Sequence, residues 1–212
     1  MKDWSRFKGI IFDLDGTLYE SRWLKPQLIQ RNLFFLPFLM RLEWGRDAVR
    51  FASFPDQKSL VAEASRVSSP RNPEAFRTWY EKKFYPGFIS ILKPKMVRPG
   101  AGALLRKVKD QGIKLAVCSD YGFVSERLEA LGIDINLFDV MTSAEENGHL
   151  KPQLFSYLKI LNELDLDADQ ILIVGDRVET DGRAAKDLGA GFHTVRSNED
   201  WSLLFKMLEM SR

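Results

Sequence analysis

Cysteine is almost missing from these 212 residues: Cys118 stands alone. An internal disulfide is thereby excluded, and the composition fits a reducing compartment. Histidine is nearly as scarce, with His149 in a loop-like stretch and His193 in a late strand-like one. No charge sign dominates, since 31 Lys and Arg face 29 Asp and Glu for a net +2. That balance argues against nucleic acid as the main partner. Long apolar runs are also lacking. The longest, residues 33–40, is broken by Pro37 and falls far short of the roughly 20 residues a membrane span needs. Residues 1–8 mix charges with aromatics and hold no apolar core of a signal peptide. Repeats and low-complexity tracts are absent too. What is present is 45% apolar residues, enough for a sizeable core in one domain or a domain with an insert. The expectation is a soluble, cytoplasmic protein with no membrane span.

From about Val97 onward, strand-like and helix-like segments alternate. Pro99 and Gly100 open a helix whose Ala101, Leu104, Leu105 and Val108 repeat at i, i+3, i+4 and i+7, and Gly112 closes it. Residues 113–118 read as a strand. Val124, Leu128 and Leu131 mark a helix, 138–142 a strand, and Leu154, Leu158 and Leu161 one side of another helix. Residues 171–174 form an apolar run, Ala184, Ala185 and Leu188 a helix face, and 192–195 a last strand. Trp201, Leu204, Phe205 and Leu208 stripe a final helix. With a first strand at 9–12, this alternation predicts an α/β fold, a doubly wound parallel sheet in three layers.

Residues 19–96 lack clear strands and predict helices over 26–51, 57–67 and 73–84, with Pro86-Gly87 as a boundary. They read as an all-helical insert over the active rim. The apolar cluster at Leu33, Phe34, Phe35, Leu36, Phe38, Leu39, Met40 and Trp44 reads as the insert's own core. Arg31 and Arg41 beside it raise membrane-surface or dimer contact as alternatives.

The chemistry concentrates at strand ends. Asp13 and Asp15, two apart in extended chain, project to one side and can address one ligand. Gly16 permits a sharp turn that offers N–H groups to an anion. Two such close carboxylates repel unless a cation intervenes, and a hard divalent ion suits oxygen donors. Ser119 and Asp176 also fall at carboxyl ends of strands, where open parallel sheets bind ligands. Taken singly, Asp-x-Asp-Gly is an ordinary turn, Ser119 a helix cap, Lys151 a solvated base and Thr180-Asp181 another cap.

Together, Phe12-Asp13-Leu14-Asp15-Gly16-Thr17-Leu18, Cys118-Ser119-Asp120, Lys151-Pro152 and Gly175-Asp176-Arg177-Val178-Glu179-Thr180-Asp181 resemble the four ordered motifs of the haloacid dehalogenase-like hydrolases. The insert resembles the C1-type cap of that superfamily. The resemblance implies a Rossmann-like core of residues 1–18 and 97–212 and a helical cap of 19–96. It implies a Mg²⁺-dependent phosphatase of a small-molecule phosphate monoester, acting through an aspartyl-phosphate as monomer or homodimer. In that scheme Asp13 is the nucleophile and Asp15 the acid and then base, protonated at the outset. Ser119 and Lys151 bind the phosphoryl group. Asp13, the backbone carbonyl of Asp15 and Asp176 hold the metal, with Thr17 and Asp181 in support. The second acid, Asp15, argues against dehalogenation. A phosphomutase or a non-catalytic binding module are the alternatives. Asp120 stands where the family usually has Asn, Leu154 where a second proline is frequent, and Glu20 where Asp is common. Arg22, Trp23 and Lys25 are candidates to touch the leaving group, and Cys118 reads as buried strand filling.

Overall fold

Along the first strand, Ile10 and Phe12 pack into one hydrophobic cluster while Ile11 packs into a second. That alternation is what a strand buried on both faces must do. The protein is described here from a computed structural model covering residues 6–210, with the side chains of Trp23, Glu209 and Met210 outside the described set. Most of the stretch read for a signal peptide therefore lies outside the described residues. Five strands, β1 (Gly9–Phe12), β2 (Lys114–Ser119), β3 (Val140–Ser143), β4 (Ile171–Gly175) and β5 (Gly191–Thr194), form one sheet in the order β3-β2-β1-β4-β5. All four pairings are parallel. The order reverses between β1 and β4, which creates the crevice where sheets of this class bind ligands.

Between β1 and β2 the chain makes five helices: α1 (Leu24–Arg31), α2 (Leu36–Val49), α3 (Gln57–Ser68), α4 (Pro73–Trp79) and α5 (Tyr85–Ile91). The continuous helix expected over 26–51 is broken at Asn32. Its buried amide donates to the Leu28 carbonyl at 2.9 Å and accepts from the Trp79 indole at 2.9 Å. Pro37 then starts α2, where a missing N–H costs nothing. Asp56 caps α3 by accepting from the Ser59 N–H, and Asn72 caps α4 through the Ala75 N–H. The boundary expected at Pro86-Gly87 is not one. A π-helical turn, Tyr80–Phe84, carries the helix from α4 into α5, and the wider turn makes room for the proline ring.

The second half supplies α6 (Ala101–Asp110), α7 (Val124–Ala130), α8 (Phe155–Leu164), α9 (Arg183–Leu188) and α10 (Asn198–Met210). Buried residues of α6, α7 and α10 share a cluster with Ile10 and Phe12, and those of α8 and α9 share one with Ile11. Right-handed crossovers produce this outcome, because reversing direction at β1/β4 switches the helices to the other face. Trp201 of α10 lies 6.2 Å from the Phe12 ring, centroid to centroid. One face was misread. In α8 the buried residues are Ser156, Tyr157, Ile160 and Leu164, while Leu158 is exposed. Tyr157, Ile160 and Leu164 follow helical spacing toward the sheet, and Leu158 lies one residue round from that line. Among the described residues no helix is long and apolar enough to cross a membrane.

Candidate active site

Each polar rim residue owes its place to the strand before it. Asp13 directly follows β1, and its N–H donates to the Val174 carbonyl at 2.8 Å, extending the ladder by one residue. Asp176 directly follows β4, Ser119 ends β2, and Lys151 lies in the connection from β3 to α8. The crossover therefore brings Asp13 and Asp176 to adjacent strand ends.

Lys151, 1% exposed, donates through Nζ to Asp13 Oδ1 at 2.6 Å and to Asp181 Oδ1 at 2.8 Å. Thr17 donates to the other Asp13 oxygen at 2.9 Å, and Tyr157 donates to Asp181 at 3.1 Å. Asp181 reaches inward from a π-helical turn, Val178–Gly182, that leads into α9. Burial would strip the proton from Lys151, but Asp13 and Asp181 outweigh it and hold the ammonium well above its usual range. Burial pushes Asp13 up to about 7, with Lys151 opposing and Asp181, Asp15 and Asp176 adding to the rise. Burial likewise raises Asp176 to about 6.

Asp15 turns away from this group. Its Oδ1 accepts from the Tyr19 hydroxyl and from Arg127 Nη2, and its Oδ2 accepts from Ser119 Oγ at 3.2 Å. Arg127 is wholly buried and also donates to Ser119 Oγ at 3.0 Å. The expected elevation of Asp15 is not found. Burial favours its neutral form, yet Arg127 and the hydrogen bonds from Arg127, Tyr19 and Ser119 prevail and hold the carboxyl below its usual range. The raised carboxyls are Asp13 and Asp176, which have less cationic company.

Asp120 is the departure from the family pattern, and its additional charge is met. Its carboxylate accepts from the Lys151 N–H at 2.7 Å and from Arg50 Nη1 at 3.1 Å, with Arg177 at 3.5 Å. Burial would raise it, but Arg46, Lys151 and Arg50 lower it. Arg50 and Arg46 come from α2 and its end. Arg46 pairs with the fully enclosed Glu145, which also accepts from Tyr80 at 2.6 Å, Tyr85 at 2.7 Å and Gln57 at 2.8 Å. Arg46, Arg50, Arg127 and Glu145 escaped the sequence reading. Of the remaining expectations, Cys118 is buried strand filling whose thiol burial pushes up to about 12. His149 stacks on Phe155 with ring centroids 4.4 Å apart. Arg22 is exposed and pairs with Glu20 at 2.8 Å, Lys25 is exposed on α1, and the Trp23 side chain lies outside the described residues. A cleft of about 660 Å³ opens beside Asp176, lined also by Gly16, Arg22, Arg98 and Arg177.

Asp13, Asp176 and Asp181 offer oxygens within 4.8 Å of one another. Asp176 Oδ1 is buried with no hydrogen-bond partner. Asp13, Asp176 and Asp181 face Lys151 and, at longer range, Arg177, a balance still short of positive charge, and the all-oxygen donor set suits a hard divalent cation. Gly16 keeps that space open. At φ +86° its position is costly for any other residue, and a Cβ there would strike the Asp176 carboxylate. Gly16→Ala is accordingly expected to cost more than about 1 kcal/mol in urea unfolding. An unchanged midpoint would contradict the tight approach.

A family model described as haloacid dehalogenase-like hydrolase matches residues 7–189. Glyceraldehyde 3-phosphate phosphatase of Methanocaldococcus jannaschii is 29% identical over 196 residues, covering 86% of this chain and 82% of the relative. Phosphoglycolate phosphatase of Rhodospirillum rubrum is 37% identical over 190 residues, covering 86% and 76%. Among solved structures, the magnesium-bound HAD-hydrolase YfnB of Bacillus subtilis superposes with a TM-score of 0.66 at 15% identity, covering 94% and 99%.

Proposed function

The chain belongs to the haloacid dehalogenase-like hydrolases, and from that premise we propose that it is a phosphatase of small phosphorylated carbon compounds. The observation that carries the reading is the buried Lys151 bridging Asp13 and Asp181 beside the unpartnered Asp176 oxygen. Folding alone gains nothing from so much buried charge at a strand end. The names of the two relatives, which act on two- and three-carbon phosphates, support the substrate class. Residues 1–18 and 97–212 form the core in this reading, and 19–96 the helical cap.

Asp13 attacks phosphorus and becomes an aspartyl-phosphate, while the leaving oxygen takes a proton from Asp15. Water then attacks the phosphoryl group, Asp15 accepts its proton, and phosphate departs. An ionised Asp15 suits the second step. For the first it must take up a proton, which the arrival of an anionic phosphoryl group favours. Ser119 donates to a phosphoryl oxygen once its hydroxyl turns from Asp15. Lys151 neutralises charge at the transferring group. Thr17 fixes one Asp13 oxygen, and Asp181 orients Lys151. Asp13, Asp176 and the Asp15 carbonyl would hold Mg²⁺, which would supply charge neutralisation at the phosphoryl group when bound.

The direct test measures phosphate release from 2-phosphoglycolate, glyceraldehyde 3-phosphate and pentose phosphates with and without Mg²⁺. Turnover of at least one, abolished by chelation, is expected; release from none would leave the binding-module alternative. Transfer of the phosphoryl group to a second hydroxyl instead of water would favour the mutase. Asp176→Asn is expected to raise the Mg²⁺ concentration for half-maximal turnover by about tenfold or more, because it removes one charged ligand. An unchanged Mg²⁺ titration would remove Asp176 from the metal set.

A further inference from the structure

The apolar cluster read as the insert's core divides in two. Phe38 packs on Phe76 and Trp79, at 5.3 and 5.7 Å between ring centroids, whereas Leu33, Phe34, Met40 and Trp44 face outward. Phe34, at the tip between α1 and α2, is 98% exposed, and Met40 is 75% exposed. Met40 and Trp44, four apart on α2, share one outer face with Pro37 and Arg41. Scattered exposed apolar residues need no explanation, but a phenylalanine, a methionine and a tryptophan exposed within residues 34–44 do.

Charge identifies what covers them. Between Ser21 and Leu42 stand Arg22, Lys25, Arg31 and Arg41, with no Asp or Glu. Residues 19–96 hold fourteen Lys and Arg against seven Asp and Glu, while the remainder of the chain is net acidic. The two acids of α2 are already engaged: Glu43 accepts the Tyr121 hydroxyl, and Asp47 pairs with Arg50 at 2.7 Å. Residues 31–44 thus present aromatic and thioether side chains with the exposed Arg31 and Arg41 among them. That composition suits the headgroup layer, where rings sit among acyl chains and arginines reach the phosphates. A second copy of the chain fits poorly, because symmetric pairing would set this basic patch against its own copy.

We propose that the exposed side chains around the α1–α2 junction, Leu33, Phe34, Met40 and Trp44 with Arg31 and Arg41, bind an anionic lipid surface, holding the protein peripherally without a span. The proposal is independent of the reaction at the rim. Flotation of the full chain with vesicles of phosphatidylcholine, and of phosphatidylcholine with phosphatidylglycerol, tests it. Binding is expected only with the anionic lipid and should weaken as salt is added. Phe34→Ser should weaken it about tenfold through the apolar area withdrawn. Arg31→Gln and Arg41→Gln should each weaken it about fivefold. Circular dichroism and thermal melting should stay at wild-type values in all three variants, because these side chains are exposed. Absence of binding, or equal binding to neutral vesicles, would overturn the proposal. So would a dimer in sedimentation that Phe34→Ser dissociates, since a second copy would then own the face.

Discussion

Asp13→Asn is expected to reduce phosphate release by a factor on the order of 10⁴ or more, with thermal melting close to wild type. The amide keeps the shape of the carboxyl and can still receive the Thr17 hydroxyl hydrogen at the β1 end. What it loses is the nucleophile, and no neighbouring group stands in the same place. Lys151 cannot substitute, because Asp181 still lies 2.8 Å from its ammonium and favours the protonated form, and the Cys118 thiol is buried and raised to about 12. The measurement is single-turnover phosphate release, together with acid-quench trapping of a labile phosphoryl adduct in the wild type. A variant that turns over at the wild-type rate, or an adduct mapped to another side chain, would refute the assignment of Asp13.

Arg46→Met should lower the free energy of unfolding by about 3–5 kcal/mol, read from urea denaturation. Glu145 is fully enclosed, and with Arg46 gone it would keep three hydrogen bonds but no cation. Arg46 also donates to Tyr80 Nη1-to-hydroxyl at 3.0 Å, donates to the Asp120 carbonyl at 3.0 Å, and lies 4.1 Å over the Tyr121 ring. Its removal therefore loosens α2 from the sheet at the rim. The double variant with Glu145→Gln should regain part of the loss, because the stranded charge is the main penalty. Single and double variants as stable as the wild type would show that this buried pair contributes nothing.

The sheet and the carboxylates at its rim were legible because both rest on short-range signals. Apolar runs such as 171–174 have few other uses, and Asp13 and Asp176 are fixed by the strands they directly follow, whereas Asp15 lies beyond a turn and faces Arg127. The residues that meet those acids were not legible. Arg127 is 112 positions from Asp15 and Arg46 is 99 from Glu145, and in sequence each looks like a solvated base on a helix. Only the tertiary fold, which packs α7 against β3 and α5 and lays α2 over the rim, turns them inward. Asn32 was missed for a related reason, since the indole that completes its bonding lies 47 residues away. The protonation of Asp15 was misjudged because repulsion among acids is visible in a motif, whereas the guanidinium that relieves it is not.

The two leads into and out of residues 19–96 run side by side. The Glu20 N–H donates to the Met96 carbonyl at 2.9 Å, and the Arg98 N–H donates to the Leu18 carbonyl at 3.0 Å. In the proposed division into core and cap, ends clipped together in this way would let one cap be exchanged for another without moving β1 relative to β2. Any graft must bring a replacement cation for Glu145, which stays behind on the sheet side. Substrate range could thus diverge by swapping one module while the catalytic strands stay as they are.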